Sequence, residues 1–250
     1  MSEPVLYNVE ILEGDLIPFE VYNPEHNRVL VFAPHPDDET LGCGGAILHH
    51  TANSHSVKVI FLTDGGRGDS LNKYQVEEYL SIRENEAKNA CKVLGITDYK
   101  FCRIHDRTLG SCPSHFELIK NEIDKFRPEI IYVTSPFELN PDHRASAHLV
   151  WHAIDALKPN LDLAFYEVST PLQPNTLIDI TPFVQQKFKA AACYPSQMSV
   201  IDYSALAMAL NRFRSLTIAT RSNYAEAYIL INSSEIIGIN ISDKYTINHA

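Results

Sequence analysis

The stretch VLVFAPHPDDE, residues 29–39, joins an apolar run to a cluster of ionisable side chains. Its first five residues are apolar and rich in valine, which is typical of a strand buried on both faces. The run stops at Pro34, and one imidazole and three carboxylates follow within the next five positions. Ligand sites in open α/β sheets form at the carboxyl ends of strands. The stretch therefore predicts a buried strand with a functional site at its end.

Strands and helices alternate along the rest of the chain. Apolar runs predict further strands, and helical spacing of apolar residues predicts helices between them. This alternation predicts an α/β fold with a mostly parallel central sheet and a C-terminal cap, either helical or antiparallel. The predicted strands cover residues 57–62, 99–103, 130–133, 161–168 and 228–231, and the predicted helices cover residues 46–52, 74–94, 116–126, 144–157, 183–192 and 205–219.

A length of 250 residues suits one domain. The sequence contains neither an internal repeat nor a low-complexity linker. We therefore predict a lead-in at residues 1–27, a single domain at residues 28–235 and a tail at residues 236–250. Apolar positions in the C-terminal third suit a core or a subunit contact equally well, so a homo-oligomer stays open.

The charge balance narrows the range of partners. The chain has 21 Lys and Arg residues against 31 Asp and Glu residues, a formal net charge of −10. Binding to nucleic acid rests on clustered Lys and Arg, so a general nucleic-acid role is disfavoured. No apolar run approaches the ~20 residues that a membrane helix needs. A small molecule is the expected partner.

The cysteines and the N-terminus indicate a compartment. Five cysteines, an odd number without a CxxC pair, predict reduced thiols that pack as small buried hydrophobes. The first residues, Met1–Pro4, lack the basic and apolar regions of a secretory signal. These features predict a cytoplasmic protein.

The first strand end carries a metal-binding pattern. His35 and Asp38 are three residues apart, and on a turn that leads into a helix this spacing can direct both side chains at one centre. An imidazole and a carboxylate are ordinary ligands of Zn²⁺. Asp37 is then left beside the metal, where it could serve as a general base. Adjacent aspartates also suit the N-terminus of a helix, and both roles can operate together.

A second candidate loop, residues 136–144, follows the predicted strand at residues 130–133. In a parallel sheet the two loops face the same edge, so His143 could supply a third ligand. Two imidazoles and one carboxylate, with a position open to water, form a catalytic zinc arrangement. A metal there lowers the pKa of its water toward about 7 and polarises a carbonyl oxygen.

Each loop alone indicates a metal only weakly, because a single loop histidine is usually a polar surface residue. The two loops together, at equivalent ends of two buried strands, favour a metal site. The glycine-rich turn at residues 65–68 could cradle an anion, although a plain turn is the favoured interpretation.

The two loops also resemble a known family, the PIG-L/LmbE-like de-N-acetylases. Residues 35–39 are similar to its AHPDDE signature, with Pro34 in place of the alanine, and residues 140–143 are similar to its second motif, usually HPDH. The resemblance covers roughly residues 28–230. Weaker similarities lie at Arg83, Glu86, Ala90 and Leu94-Gly95, at Asp106, at residues 194–197 and at residues 224–228.

The resemblance implies a Rossmann-like, three-layer α/β fold. It also implies a zinc-dependent amidase that removes an N-acetyl or other N-acyl group from an amino-sugar conjugate, commonly one containing N-acetylglucosamine. Zn²⁺ is the usual metal, with Fe²⁺ or another divalent ion as an alternative. By motif, the resemblance assigns metal ligation to His35, Asp38 and His143, the general base to Asp37, and sugar hydroxyls to Arg83 and Asp106.

One position departs from the family pattern. The first residue of the second motif is Asn140 where the family usually has a histidine that is thought to stabilise the oxyanion or assist proton transfer. Asparagine cannot become cationic, but its amide can donate a hydrogen bond. Loss of an oxyanion donor costs about 10²–10³ in rate. Either Asn140 acts as a neutral donor, or Arg144 or a histidine compensates, or the activity is low.

The mechanism expected from these residues is hydrolysis, with Asp37 taking a proton from water and handing it to the leaving amine. Asp142 is expected to orient His143. Two other functions use the same residues. A non-haem Fe(II) enzyme also has two histidines and one carboxylate. A protein that binds a metal or an amino sugar without turnover would fit the change at Asn140.

Overall fold

A seven-stranded sheet runs through the part of the chain that the computed structural model describes, namely residue 18 and residues 21–198, 201–218 and 222–245. The strands are β1 (Arg28–Ala33), β2 (Ser56–Thr63), β3 (Asp98–Ile104), β4 (Ile130–Thr134), β5 (Asp162–Tyr166), β6 (Thr176–Asp179) and β7 (Ala225–Asn232). The helices are α1 (Asp38–Ala52), α2 (Val76–Leu94), α3 (Pro113–Phe126), α4 (Pro141–Leu157), α5 (Val184–Ala191), α6 (Tyr203–Arg214) and α7 (Ile241–Lys244).

The strand order is β3-β2-β1-β4-β5-β7-β6. The five strands from β3 to β5 in this order are parallel, and β7 is antiparallel to both of its neighbours. This order is that of a doubly wound Rossmann-like sheet, whose direction of winding reverses between β1 and β4. The predicted α/β fold with a mostly parallel sheet is confirmed, and the C-terminal region contributes the antiparallel strand.

Helices cover both faces of the sheet because its central strands are apolar on both sides. In β1, Val29 and Val31 pack into a core with α1 and α2, whereas Leu30 and Phe32 pack into a second core with α3 and α4. Alternate side chains of a strand point to opposite faces, so a continuous apolar run requires a layer on each side. The result is three layers, helices on sheet on helices.

The helix after the first motif differs from the prediction. It begins at Asp38, whereas the sequence predicted a start at residue 46, and it bends at Cys43, where φ is −135° and ψ is 20°. The glycines at positions 42 and 45 suggested a loop, but here they allow close packing. Gly42 lies against the ring of Tyr166, and Gly45 lies against Ile180. Side chains from β5 and from the residue after β6 therefore approach the helix backbone closely.

Other boundaries shift for local reasons. Strand β6 was not predicted, because four residues are too few to show a period. The helix predicted at residues 205–219 ends at Arg214 and continues as a 3₁₀ turn, Ser215–Thr217; residue 219 lies outside the described residues. Cys112 is exposed, so its expected burial is wrong.

The two ends of the described chain pack on the domain. Tyr22 donates its backbone N–H to the carbonyl of Leu177 at 2.8 Å. Near the other end, Ile241 is buried, and the indole N–H of Trp151 donates to the carbonyl of Ile239 at 2.8 Å. The division into lead-in, domain and tail stays a prediction, and residues 1–17 lie outside the described residues.

No helix among the described residues combines the length and apolarity that a membrane crossing requires.

Alanine at positions 42 and 45 will test the close packing of α1. A Cβ atom at Gly42 would lie 2.2 Å from Cδ2 of Tyr166, and one at Gly45 would lie 2.2 Å from Cγ2 of Ile180. We expect G42A and G45A each to lower the free energy of unfolding by about 1–3 kcal/mol, because a buried side chain must move. Urea denaturation measures the loss.

Gly44 offers a matched control on the same helix. Its Cβ atom would meet only the side chain of Lys187, at 3.3 Å, so we expect a smaller loss for G44A. Equal losses in the three variants would contradict this account of the helix packing.

Candidate functional site

Two loops meet where the winding of the sheet reverses. Strands β1 and β4 are parallel neighbours, with Phe32 beside Val133 in the register. The chain leaves both strands at the same edge, so the loop that carries His35 and the loop that precedes α4 lie side by side. His143 stands in the first turn of α4. The meeting of the two motifs, expected from the sequence, is what the fold produces.

Three donor atoms from the two motifs form a compact triangle. His35 Nδ1 lies 3.1 Å from Oδ2 of Asp38 and 3.2 Å from Nε2 of His143. The third edge, between His143 Nε2 and Asp38 Oδ2, is 3.1 Å. Ligands at ~2.1 Å around a tetrahedral ion stand ~3.4 Å apart. The triangle therefore fits a zinc site in both donor type and size, and these buried residues could hold a metal.

The triad is buried, and its charges depend on one another. Burial raises the pKa of the Asp38 carboxyl, but His143 and His35 outweigh this effect and hold it well below its usual range. Burial lowers the pKa of His143, and Asp38 more than reverses this, to about 9. Metal ligands must give up such protons, so metal binding here would release protons.

Glu138 orients His143 from outside the triad. Its carboxylate lies 3.3 Å from Nδ1 of His143, so an N–H there donates to Glu138 and leaves Nε2 for the triad. The same carboxylate accepts the backbone N–H groups of Val168 at 2.7 Å, Ser169 at 3.0 Å and Thr170 at 3.3 Å. Sequence reasoning missed Glu138, because its partners are backbone groups from a distant loop.

Two further carboxylates face the opposite side of His35. Asp106 and Asp142 each place an oxygen 3.5 Å from Nε2 of His35, which turns Nδ1 toward the triad. The sequence predicted that Asp142 orients His143, whereas the structure places it beside His35. The Asp106 oxygen that faces His35 is Oδ1, and it makes no closer hydrogen bond within the described residues.

Asp37 adopts an unusual backbone conformation beside the triad. Its φ is 136°, a region that residues other than glycine rarely adopt, and its backbone N–H donates to Glu39 Oε2 at 3.1 Å. Its side chain lies 3.3 Å from a guanidinium nitrogen of the buried Arg83. Burial raises the pKa of Asp37 to about 6, with the Arg83 charge acting against it. Arg83, predicted to meet sugar hydroxyls, lines the cavity and also pairs with Asp37.

Asn140 caps α4. Its Oδ1 accepts the backbone N–H of Asp142 at 2.9 Å, which leaves the amide NH₂ group for another partner. Arg144 donates to the carbonyl oxygens of Glu138 at 2.6 Å and Leu139 at 2.8 Å, so it is engaged in shaping the loop. Of the two, Asn140 is the residue that lines the cavity beside the triad.

A cavity of about 370 Å³ opens over the triad. This volume lies within the range of small-molecule pockets, ~300–1,000 Å³. One wall comes from residues 196–197, which α2 holds in place: Glu86 accepts the backbone N–H of Ser196 at 2.8 Å, and the Tyr79 hydroxyl accepts from the amide of Gln197 at 2.6 Å. Residues 196–197 and helix α2, which are far apart in sequence, thus build this wall together.

A buried ion pair, which we term the helix clamp (Lys187 and Glu226), holds the bend in α1. Lys187 Nζ donates to the carbonyl of Leu41 at 2.8 Å and to Glu226 Oε1 at 2.7 Å. Glu226 also accepts the backbone N–H groups of Gly45 at 2.7 Å and Ala46 at 2.8 Å. The clamp satisfies the backbone groups that the bend leaves unpaired, and so fixes the direction of the half-helix that begins at Asp38.

Comparison with known proteins gives one family match. Residues 30–154 match the family described as GlcNAc-PI de-N-acetylase, PIG-L. This span contains most of β1, all of β4 and all three residues of the triad. The match accounts for the strongest part of the resemblance found in the sequence.

The chain is also similar to individual proteins. It is 28% identical over 185 residues to a probable N-acetyl-alpha-D-glucosaminyl L-malate deacetylase 2 from Bacillus anthracis, covering 69% of this chain and 82% of that protein. It is 28% identical over 200 residues to a diacetylchitobiose deacetylase from Thermococcus kodakarensis, covering 72% and 74%. A 4-oxalmesaconate hydratase from Pseudomonas putida is 25% identical over 204 residues, covering 72% and 78%.

A solved structure supports the fold. The N,N'-diacetylchitobiose deacetylase from Pyrococcus horikoshii, complexed with an inhibitor, superposes with a TM-score of 0.77 at 21% identity, covering 92% of this chain and 94% of that one. At this identity the likeness bears on the fold, and its coverage of 92% exceeds the half of the chain that the family match spans.

Replacement of Glu138 will test how the triad is oriented. We expect Glu138→Gln to weaken Zn²⁺ affinity by about 10- to 100-fold, because the amide no longer holds the Nδ1–H of His143 as a carboxylate does. Competition with a fluorescent chelator measures the affinity.

Glu122→Gln is the control for loss of a carboxylate. Glu122 is also largely buried, but it pairs with Lys58 at 3.1 Å and Lys100 at 2.6 Å, away from the triad. An equal change of affinity in both variants, or none in Glu138→Gln, would show that Glu138 does not orient the ligand.

Proposed function

This chain belongs to the GlcNAc-PI de-N-acetylase family, and from that premise we propose that it is a divalent-metal hydrolase, with zinc as the metal. It removes an N-acetyl group from an amino-sugar conjugate of the N-acetylglucosamine type. The observation that carries the proposal is the triangle of donor atoms from His35, Asp38 and His143, which lie 3.1–3.2 Å apart. The carboxylate of Asp37 directly precedes Asp38 in the sequence.

The ligands would be His35 Nδ1, Asp38 Oδ2 and His143 Nε2. When bound, the metal supplies a Lewis acid that polarises the acetamide carbonyl and lowers the pKa of a water. The donor set of two imidazoles and one carboxylate suits zinc, and three protein ligands leave room for water and substrate. Glu138, Asp106 and Asp142 hold the imidazoles in the required orientation.

Asp37 is the general base in this proposal. Its carboxylate accepts a proton from the attacking water and then delivers that proton to the nitrogen of the leaving amine. Burial, which raises its pKa to about 6, brings it closer to neutrality than an ordinary aspartate and so suits both transfers. Arg83 fixes the position of the carboxylate. The products are acetate and a free amine.

Asn140 and Asp106 act on the substrate. The amide NH₂ of Asn140, which its capping interaction leaves available, donates to the oxygen on which negative charge develops. Asp106 Oδ1 faces His35 at 3.5 Å and makes no closer hydrogen bond within the described residues, so it keeps a lone pair that can accept a sugar hydroxyl. Arg83 lines the same cavity and contributes to sugar binding.

Hydration of a small acid is a second candidate function. It is favoured by the similarity to the 4-oxalmesaconate hydratase. Binding without turnover, or oxygen chemistry on Fe²⁺, would use the same triad. Acetate release from an N-acetylated sugar distinguishes hydrolysis from all three.

The role of Asp37 is tested by its amide. We expect Asp37→Asn to keep its bound zinc and to lower kcat by about 10²–10⁴-fold, because the proton acceptor is lost while the ligands remain. Amine release from a panel of N-acetylglucosamine conjugates measures the rate, and elemental analysis measures the metal. Asp124→Asn, an exposed change on α3, is the control. Retained turnover would remove Asp37 from this role.

The role of Asn140 is tested by variants that keep the cap. Serine or aspartate at position 140 still accepts the N–H of Asp142. We therefore expect Asn140→Asp to keep the melting temperature and to lose about 10²–10³ in kcat, because a carboxylate has no hydrogen to donate. Asn140→Ser, whose hydroxyl can both accept and donate, should lose less. Asn140→Ala would lose the cap as well. Full activity in the aspartate variant would mean that Asn140 only caps the helix.

A further inference from the structure

Two arginines stand at the mouth of the cavity. Arg67 lies on the 3₁₀ turn Gly66–Gly68 after β2, and Arg107 lies on the loop after β3; both line the cavity. Arg67 is exposed, and the side chain of Arg107 is 49% exposed. The carboxylates Asp37, Asp38 and Asp106 lie buried beneath them. The cavity thus has a buried floor rich in carboxylates and a cationic rim.

The backbone of each arginine is hydrogen-bonded to a carboxylate that orients His35 of the triad. The N–H of Arg67 donates to Asp106 Oδ2 at 3.0 Å, and the N–H of Arg107 donates to Asp142 Oδ2 at 2.6 Å. These are the two carboxylates that face Nε2 of His35. Arg107 also has a φ of 71°, a conformation that needs outside support in a residue with a side chain. The backbone position of each arginine is therefore fixed relative to His35.

Neither guanidinium is neutralised by a close carboxylate. Within residues 21–198, 201–218 and 222–245, no ion pair forms at Arg67, and the nearest one at Arg107 is long, 3.9 Å from Nε to Asp106 Oδ1. Three other arginines have close carboxylate partners, namely Arg83 with Asp37, Arg103 with Glu84 and Arg214 with Glu167. In a chain of net charge −10, the cavity mouth keeps two cations without tight partners.

The glycine-rich turn itself does not offer free backbone donors. The N–H of Gly66 donates to Asp64 Oδ1 at 2.9 Å, and the N–H of Gly68 donates to the carbonyl of Gly65 at 3.2 Å. With that of Arg67 bonded to Asp106, three successive N–H groups are occupied. This supports the plain turn over an anion cradle, so recognition of an anion here would fall to the side chains.

From this placement we infer that Arg67 and Arg107 bind an anionic group, a carboxylate or a phosphate, on the part of the substrate beyond the sugar. The inference rests on the proposed function. With the acetamide at the triad and the sugar in the cavity, the aglycone lies at the rim. Guanidinium groups bind carboxylates and phosphates through paired hydrogen bonds. The preferred substrate is therefore an amino-sugar conjugate with an acidic aglycone.

Substrate selectivity tests the inference. The substrates are N-acetylglucosamine linked to malate, to a phosphate-bearing alcohol, and to neutral inositol. The measured quantity is the ratio of kcat/KM for each acidic conjugate to that for the neutral one. We expect Arg107→Gln and Arg67→Gln to lower this ratio by about 10- to 100-fold, mainly through KM, since that is the range for a hydrogen bond to a charged group. The two acidic arms separate carboxylate from phosphate.

Two matched variants complete the design. Arg103→Gln removes an exposed arginine on β3 that pairs with Glu84 and does not line the cavity, and we expect the ratio to stay at its wild-type value. Arg107→Lys keeps the charge and should restore part of the preference. The wild-type preference should also weaken with added salt, because exposed charges are screened.

Two outcomes would overturn the inference. One is a wild-type enzyme that favours the neutral conjugate. The other is an equal loss on all conjugates, which would assign the arginines to the sugar itself. If no conjugate releases amine, the proposed function fails on its own. Calorimetric binding of the same conjugates to the zinc-loaded protein then decides the point, and equal Kd values for acidic and neutral conjugates would reject the anion site.

Discussion

The parallel pairing of β1 with β4 is the constraint on which the site depends. Hydrogen bonds between the two strands set Phe32 beside Val133, and the chain then leaves both strands at one edge. His35 and His143 are 108 residues apart in sequence, yet their ring nitrogens come within 3.2 Å. The other residues of the site lie around these two strand ends. The reversal of winding opens the crevice, and α1 and α4 begin there with their N-termini toward it.

The sequence predicted the elements of this arrangement well because each has a local signal. The apolar run of β1 requires burial on both faces, and the paired motifs at two strand ends indicate a shared centre. What could not be predicted depends on backbone partners. Glu138 is held by the N–H groups of residues 168–170, and such groups occur at every position except proline. The bend in α1 was hidden likewise, because glycine signals either a loop or a close approach.

Asp142 shows how neighbours in sequence can be separated in space. Successive residues on a helix point in directions about 100° apart, so Asp142 and His143 in the first turn of α4 do not face each other. Asp142 turns toward His35, which comes from the other loop, and Glu138 takes the place beside His143. Asp142, from the second loop, thus orients the imidazole of the first loop, and Glu138, which precedes α4, orients His143. The two loops are therefore in contact twice, through the triad and through the contact of Asp142 with His35.

The helix clamp ties the beginning of the chain to its end. The hydrogen bond from Gly45 to Glu226 spans 181 residues, and the clamp is what aims the half-helix that carries Asp38. Ribosomes add about 5–20 residues per second, so translation of that interval takes roughly 10–40 s. During this time the nascent chain already exposes its histidines and aspartates, but α1 still lacks the groups that set its bend. A metal that binds only the finished geometry would therefore enter after β7, the last strand, has been made.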